Sequence, residues 1–145
     1  MEDYQKAYEK ALKLLKIRPH IGKELERKLV FRGFSSEIAA RVTEKLKEQG
    51  LIDDKQFSLA FLNSLIRFKS FGFYGLLAKL LQRGITKPEA EKLLKENFSV
   101  ETEKQTAFRL VKNDRRKDKI KLAQKLSRKG FRTEVISDVL KTHFF

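Results

Sequence analysis

Few side chains in this 145-residue chain could do covalent chemistry. There is no cysteine, which removes thiol catalysis, thiolate metal sites and disulfides together. The two histidines, His20 and His143, lie near opposite ends, and neither has the Cys or close carboxylate pair that a metal site or nucleophilic triad would need. Asp53-Asp54 could suggest a metal-binding pair, but at a helix start the capping of free N–H groups accounts for both. Gly72-Phe73-Tyr74-Gly75 is too short for a phosphate loop, and Phe73 and Tyr74 are expected to be buried between repeats rather than to stack on bases. No catalytic, cofactor or metal site is therefore expected, and the chain reads as a binding protein rather than an enzyme.

The chemistry that remains is ionic. There are 33 Lys and Arg against 19 Asp and Glu, a formal charge of +14. Basic residues exceed acidic ones 12 to 8 in residues 1–50, 8 to 5 in 51–98 and 13 to 6 in 99–145, so the last third carries half of the excess. Such a field favours a polyanionic partner. The densest run is Arg115, Arg116, Lys117, Lys119, Lys121, Lys125, Arg128, Lys129 and Arg132. If helical, Lys117, Lys121, Lys125 and Arg128 fall at i, i+4, i+8 and i+11, one stripe opposite Leu122, Ala123 and Leu126. Aligned like charges cost a few tenths of a kcal/mol per adjacent pair, which a bound polyanion would relieve. The plain alternative is a solvated lysine-rich face. The candidate contacts are Arg67, Lys69, Arg83, Arg115, Arg116, Lys117, Lys121, Lys125 and Arg128.

A thrice-repeated phrase positions these residues: Leu25-x3-Leu29-x3-Gly33-Phe34, Leu76-x3-Leu80-x3-Gly84-Ile85 and Leu122-x3-Leu126-x3-Gly130-Phe131. Leucines four apart share a helix face, and a Gly four residues later stands where a helix end needs a left-handed residue. With Gly as C′, the second Leu of each phrase is C3 and the residue after Gly is C″, the pair that touches in a Schellman cap. Apolar spacing is helical nearly throughout, and no segment alternates with period two. The first helix must stop near Arg18-Pro19. Ser35 or Ser36, Asp53-Asp54, Thr86, Ser99 and Thr133 read as caps, Gly50 as a stop and Pro88 as a first-turn residue. The helix at Phe57–Phe68 carries two apolar stripes and wants covering on two sides. Gly75 falls inside or at the start of a helix, where alanine should cost little. The expected fold is all-α: about nine helices in three tandem three-helix repeats, 1–50, 51–98 and 99–145, in an elongated, curved modular array. Lys112 to Lys119 is the loosest joint. A Met-Glu-Asp start without a basic-then-apolar leader, and no apolar run near 18 residues, point to a cytoplasmic protein.

Over roughly residues 10 to 140 the chain resembles the RecX family of recombination regulators. The matching elements are Ala11-Leu12-x2-Leu15-x2-Arg18 leading to Glu24-Leu25, Lys28-x4-Gly33-Phe34, Gly50-Leu51-Ile52-Asp53-Asp54-x2-Phe57 and Gly72-x3-Leu76-x3-Leu80-x2-Arg83-Gly84-Ile85. The third unit continues with Leu126-x2-Lys129-Gly130-Phe131 and Val135-Ile136. Family members often place a Ser or Thr cap between the Arg and the Glu-Leu pair. Here Ile21 stands in that stretch, so the helix must begin differently, at Gly22. A Pro commonly follows the Gly that is Gly72 here, where this chain has Phe73, and the usual upstream Arg corresponds approximately to Arg67. The resemblance implies three tandem three-helix repeats and a non-catalytic modulator of the RecA recombinase. Such a protein binds the RecA filament on single-stranded DNA and mainly inhibits its ATP hydrolysis, strand exchange and coprotease activities. It implies no cofactor. The expected partners are the RecA nucleoprotein filament and single- or double-stranded DNA, with no membrane, and the expected state is a monomer. A stand-alone basic helical DNA-binding protein, or a scaffold for another protein, are the competing readings.

Overall fold

The computed structural model describes residues 2–144. Among them are nine α-helices and no strand: α1 Glu2–Ile17, α2 Gly22–Phe31, α3 Ser36–Glu48, α4 Asp54–Phe68, α5 Phe73–Gln82, α6 Lys87–Asn97, α7 Val100–Asn113, α8 Lys119–Arg128 and α9 Thr133–Phe144. They follow one another as three tandem three-helix repeats. By compactness the chain forms two units, Met1–Ala60 and Phe61–Phe145, with the division inside α4.

All three repeated phrases end in the expected geometry. Gly33, Gly84 and Gly130 have φ of 99°, 101° and 82°. The N–H of Phe34 donates to the Leu29 carbonyl (3.2 Å), that of Ile85 to Leu80 (3.2 Å) and that of Phe131 to Leu126 (3.1 Å), each a six-to-one Schellman bond. Gly50 makes a fourth such cap, with φ 75° and Leu51 N–H donating to the Leu46 carbonyl at 2.9 Å. A side chain at these positions would have to enter the left-handed region, which costs about 1–2 kcal/mol.

The first unit encloses Ala7, Ala11, Leu14, Leu25, Leu29, Ala39, Val42, Leu46 and Ile52. The small residues on α1 let it lie close to α3, and Pro19 ends α1 as expected. Ser35 caps α3 by accepting from Ile38 N–H (3.1 Å), and Asp53 caps α4 by accepting from Gln56 N–H (3.1 Å). Asp54 departs from expectation. Its Oδ1 accepts from the N–H of Gly22 at 2.9 Å, so it caps α2 rather than its own helix. The missing family Ser/Thr is thus replaced by a carboxylate 32 residues away.

In the second unit the last three helices enclose Ala107, Val111, Leu122, Leu126, Phe131, Val135, Val139 and Leu140. Leu62, Phe73, Leu76, Leu80, Ile85, Ala90, Leu94 and Phe98 are also buried. Of the two apolar stripes on α4, Leu62 is enclosed, whereas Leu59 and Phe68 are exposed, so the two-sided cover is incomplete. Ser99 caps α7 through Thr102 N–H (3.1 Å). Thr86 holds the cap position of α6 without a side-chain bond, and Pro88 lies in that helix's first turn. Thr133 is already helical; the cap position is Arg132, whose carbonyl accepts from Ile136 N–H.

The start of α5 locks onto the end of α8. Gly72 N–H donates to the Lys129 carbonyl (3.0 Å) and Tyr74 N–H to that of Gly130 (2.8 Å). A Cβ on Gly75 would fall on the Lys129 carbonyl oxygen, and one on Gly72 on the Phe131 backbone. The expectation that alanine is harmless at Gly75 is therefore wrong: two main chains meet there without room for a methyl group. Glu103 of α7 closes the same junction. It is fully buried; its Oε2 accepts from Phe73 N–H (2.9 Å) and Arg132 N–H (3.1 Å), and its Oε1 from Arg132 Nε (2.6 Å). Phe73 is buried beneath the Arg132 guanidinium, 4.5 Å from its ring centre. Tyr74, expected inside with it, is 57% exposed.

Candidate functional site

The residues that could have held a metal do other work. His20 is buried; its Nδ1–H donates to the Arg18 carbonyl (2.9 Å) and its Nε2 accepts from Lys28 Nζ (2.8 Å), which uses both ring nitrogens. Burial, reinforced by Lys28 and Arg18, lowers its pKa against the opposing effect of the Arg18 carbonyl. Arg18 itself forks onto Glu24 at 3.1 and 2.8 Å. His143 meets the rings of Phe108 and Phe144. No group of three or more potential metal ligands converges among the described residues.

The candidate cations divide into exposed and internally engaged. Arg67 and Lys69 are exposed at the end of α4, with the Arg67 guanidinium over the Phe68 ring. Arg83 is the half-buried C-cap residue of α5 and stacks over Phe61, 5.1 Å from the ring centre. Stacking of this kind orients a guanidinium without neutralising it.

The expected four-residue stripe is shorter than the spacing suggested. Helix α8 begins at Lys119, because Asp118 caps it by accepting from the N–H groups of Ile120 (3.0 Å) and Lys121 (3.2 Å). Lys117 consequently lies before the helix, and the stripe on α8 is reduced to Lys121, Lys125 and Arg128. Residues 114–118 are non-helical, where the loose joint was expected.

Asp114 opens this segment as the C-cap of α7, with 7% of its side chain exposed. Its Oδ1 accepts from Arg116 N–H (2.9 Å) and Nε (3.1 Å); its Oδ2 accepts from Arg116 Nη2 (2.9 Å) and Lys125 Nζ (3.0 Å). The Arg116 side chain first, then its N–H and Lys125, hold the Asp114 carboxyl well below the usual range. Further along, Lys129 Nζ lies 5.6 Å from the Phe71 ring centre and Arg132 is bound to Glu103. Arg115, Lys117, Lys119, Lys121 and Arg128 remain exposed along the connection and the outer side of α8.

Asp114 and Glu103 carry most of this organisation; sequence reading took Asp114, with Asn113, only as a break in the apolar rhythm of the loose joint and did not single out Glu103. For Asp118 a signal existed, an Asp immediately before an apolar-periodic segment.

Residues 7–46 match the family model for the first three-helix domain of RecX. Over 141 residues the chain is 33% identical to "Regulatory protein RecX" of Prosthecochloris aestuarii, covering 95% of this chain and 93% of that protein. It is 34% identical over 137 residues to the same-named protein of Pelodictyon phaeoclathratiforme, covering 90% and 84%. Among solved structures, RecX from Lactobacillus salivarius superposes with a TM-score of 0.83 at 22% identity, covering 97% of this chain and 96% of that one. A second RecX crystal structure gives 0.78 at 24% identity, over 94% and 71%. No helix among the described residues is long and apolar enough to cross a membrane.

Proposed function

Since the chain belongs to the RecX family of regulatory proteins, we propose that it binds the RecA recombinase filament on single-stranded DNA and modulates it, mainly by inhibition of ATP hydrolysis, strand exchange and coprotease activity. The observation that carries this reading is the match to regulatory relatives along nearly the whole chain rather than over one repeat. Regulation here is by occupancy, in the cytoplasm and without a catalytic residue. Three repeats, bounded at 1–50, 51–98 and 99–145, contact neighbouring protomers, and each added contact raises avidity by making the next one intramolecular. Arg67, Lys69, Arg83, Arg115, Lys117, Lys121 and Arg128 face acidic protein surface or DNA phosphate. A net charge of +14 supports such approach by speeding encounter with a polyanionic filament.

The test adds purified protein to RecA already assembled on single-stranded DNA and follows ATP hydrolysis and strand exchange. Inhibition is expected at well below one molecule per recombinase, since a body spanning protomers affects more subunits than it touches. If inhibition appears only when the protein precedes RecA, and scales with DNA length rather than with filament, a stand-alone DNA binder replaces the regulator.

A further inference from the structure

The carboxylate of Asp114 stands where an oxyanion of a ligand would stand. Arg116 presents Nε and Nη2 to it as a fork, and Lys125 reaches in from α8, eleven residues on, to the oxygen that Nη2 also contacts. A guanidinium fork with an adjacent ammonium fits phosphate as well as it fits carboxylate. Further exposed cations accompany this pair: Arg115 and Lys117 in the same segment, Lys121 and Arg128 on the helix.

We propose that Arg116 and Lys125 form a backbone-phosphate site for single-stranded nucleic acid, held closed in the free protein by the Asp114 carboxylate as a resident counter-ion. The proposal rests on the reading that this basic run meets DNA. It adds that two of the run's cations are masked until a polyanion displaces Asp114. An isolated phosphate competes poorly, because the tethered carboxylate acts at a high effective concentration. A nucleic acid strand succeeds because neighbouring phosphates engage Arg115, Lys117 and Lys121 at the same time. Asp114 thereby sets a threshold that favours long polyanions over small anions.

The experiment measures binding of a fluorescent oligothymidylate, without recombinase, across a salt series. Asp114→Asn removes the counter-ion charge while keeping an oxygen for the Arg116 N–H. It should tighten binding several-fold and steepen the salt slope by about 0.7 for each phosphate newly engaged. Asp118→Asn makes the same change in net charge and retains a good cap, so it should gain much less. Lys125→Gln should cost several-fold more affinity in the Asp114→Asn background than in the wild type. Inorganic phosphate at equal charge concentration should not displace the oligonucleotide from wild-type protein beyond its ionic-strength effect. Unchanged or weaker binding by Asp114→Asn would mean that Asp114 organises the cations instead of masking them. Equal gains from Asp114→Asn and Asp118→Asn would reduce the effect to net charge. Circular dichroism checks each variant's fold; should Asp114→Asn unfold, Asp114→Ser in the same cycle with Lys125→Gln decides. Because recombinase is absent, failure here leaves RecA inhibition untouched, and loss of RecA inhibition leaves this result standing.

Discussion

Two junctions use the same device in opposite surroundings. In the first unit, α2 has Ile21 at its cap position and takes the carboxylate of Asp54, from the first helix of the next repeat. In the second unit, α5 has Gly72 at its cap position and takes the carboxylate of Glu103, again from the first helix of the repeat that follows. Helix α8 instead has a cap of its own, Asp118, immediately before it. Yet the Asp54 side chain is 34% exposed, with Lys47 3.5 Å away, while Glu103 is fully buried and bonded to two backbone N–H groups and a guanidinium. A solvated cap trades one hydrogen bond for water; a buried one leaves orphaned charge and donors when it is lost. Only the second junction adds the backbone contact of Gly72 and Tyr74 with Lys129 and Gly130.

The largest test of that contrast is Glu103→Ala. Losing the acceptor strands a partly buried guanidinium and two N–H groups, and about 3–5 kcal/mol of stability should go with it in urea unfolding. Asp54→Ala should cost only about 1 kcal/mol, as an exposed cap does. Amide exchange should follow the same order, with Phe73 N–H better protected than Gly22 N–H. Equal losses would show that burial does not distinguish the junctions.

Glycine substitution sharpens the point at the next level. Gly75→Ala forces a methyl group against the Lys129 carbonyl and should cost about 1–3 kcal/mol, even though its φ is unremarkable. Gly33→Ala has open space but φ of 99°, and should cost about 1 kcal/mol through the backbone alone. Thermal or urea unfolding of the pair decides whether the steric term of the second junction exceeds the conformational term of a cap.

These two glycines also mark how far sequence reading reaches. The helix-end phrase is complete within ten residues, so Gly33, Gly84 and Gly130 were legible with their bonding pattern, as were the Ser35 and Ser99 caps. Gly75 was misread because its constraint comes from Lys129, 54 residues later, and nothing local announces it. Glu103 was invisible for the same reason. The basic stripe was half legible: the charges were plain, but their register assumed a helix through Lys117, and Asp118 starts that helix at Lys119. Which cations of the run are internally engaged depended on two acids, Asp114 and Glu103, that composition cannot separate from their neighbours.

The smallest expected effect is pH-dependent and belongs to the first unit. His20 is buried there between the Arg18 carbonyl and Lys28, and its burial lowers its pKa below the ordinary 6.5. The unfolded chain therefore takes up a proton at a pH where the folded one resists it. The contribution of neutral His20 is fully present above the unfolded value and is lost as pH falls through 6.5 toward the lower folded value. Asp114 and Asp138, held low by Arg116 and Lys104, titrate in the unfolded chain near about 4, so their contributions fade only below that. Between pH 7 and 5 the histidine acts without them. Stability should decline over that interval, and His20→Gln, which can still donate to the Arg18 carbonyl and accept from Lys28, should flatten the decline. Amide exchange should place the loss in α1–α3 and leave α7–α9 unchanged. An undiminished slope in the variant, or a loss shared equally by both units, would assign the pH dependence to groups other than His20.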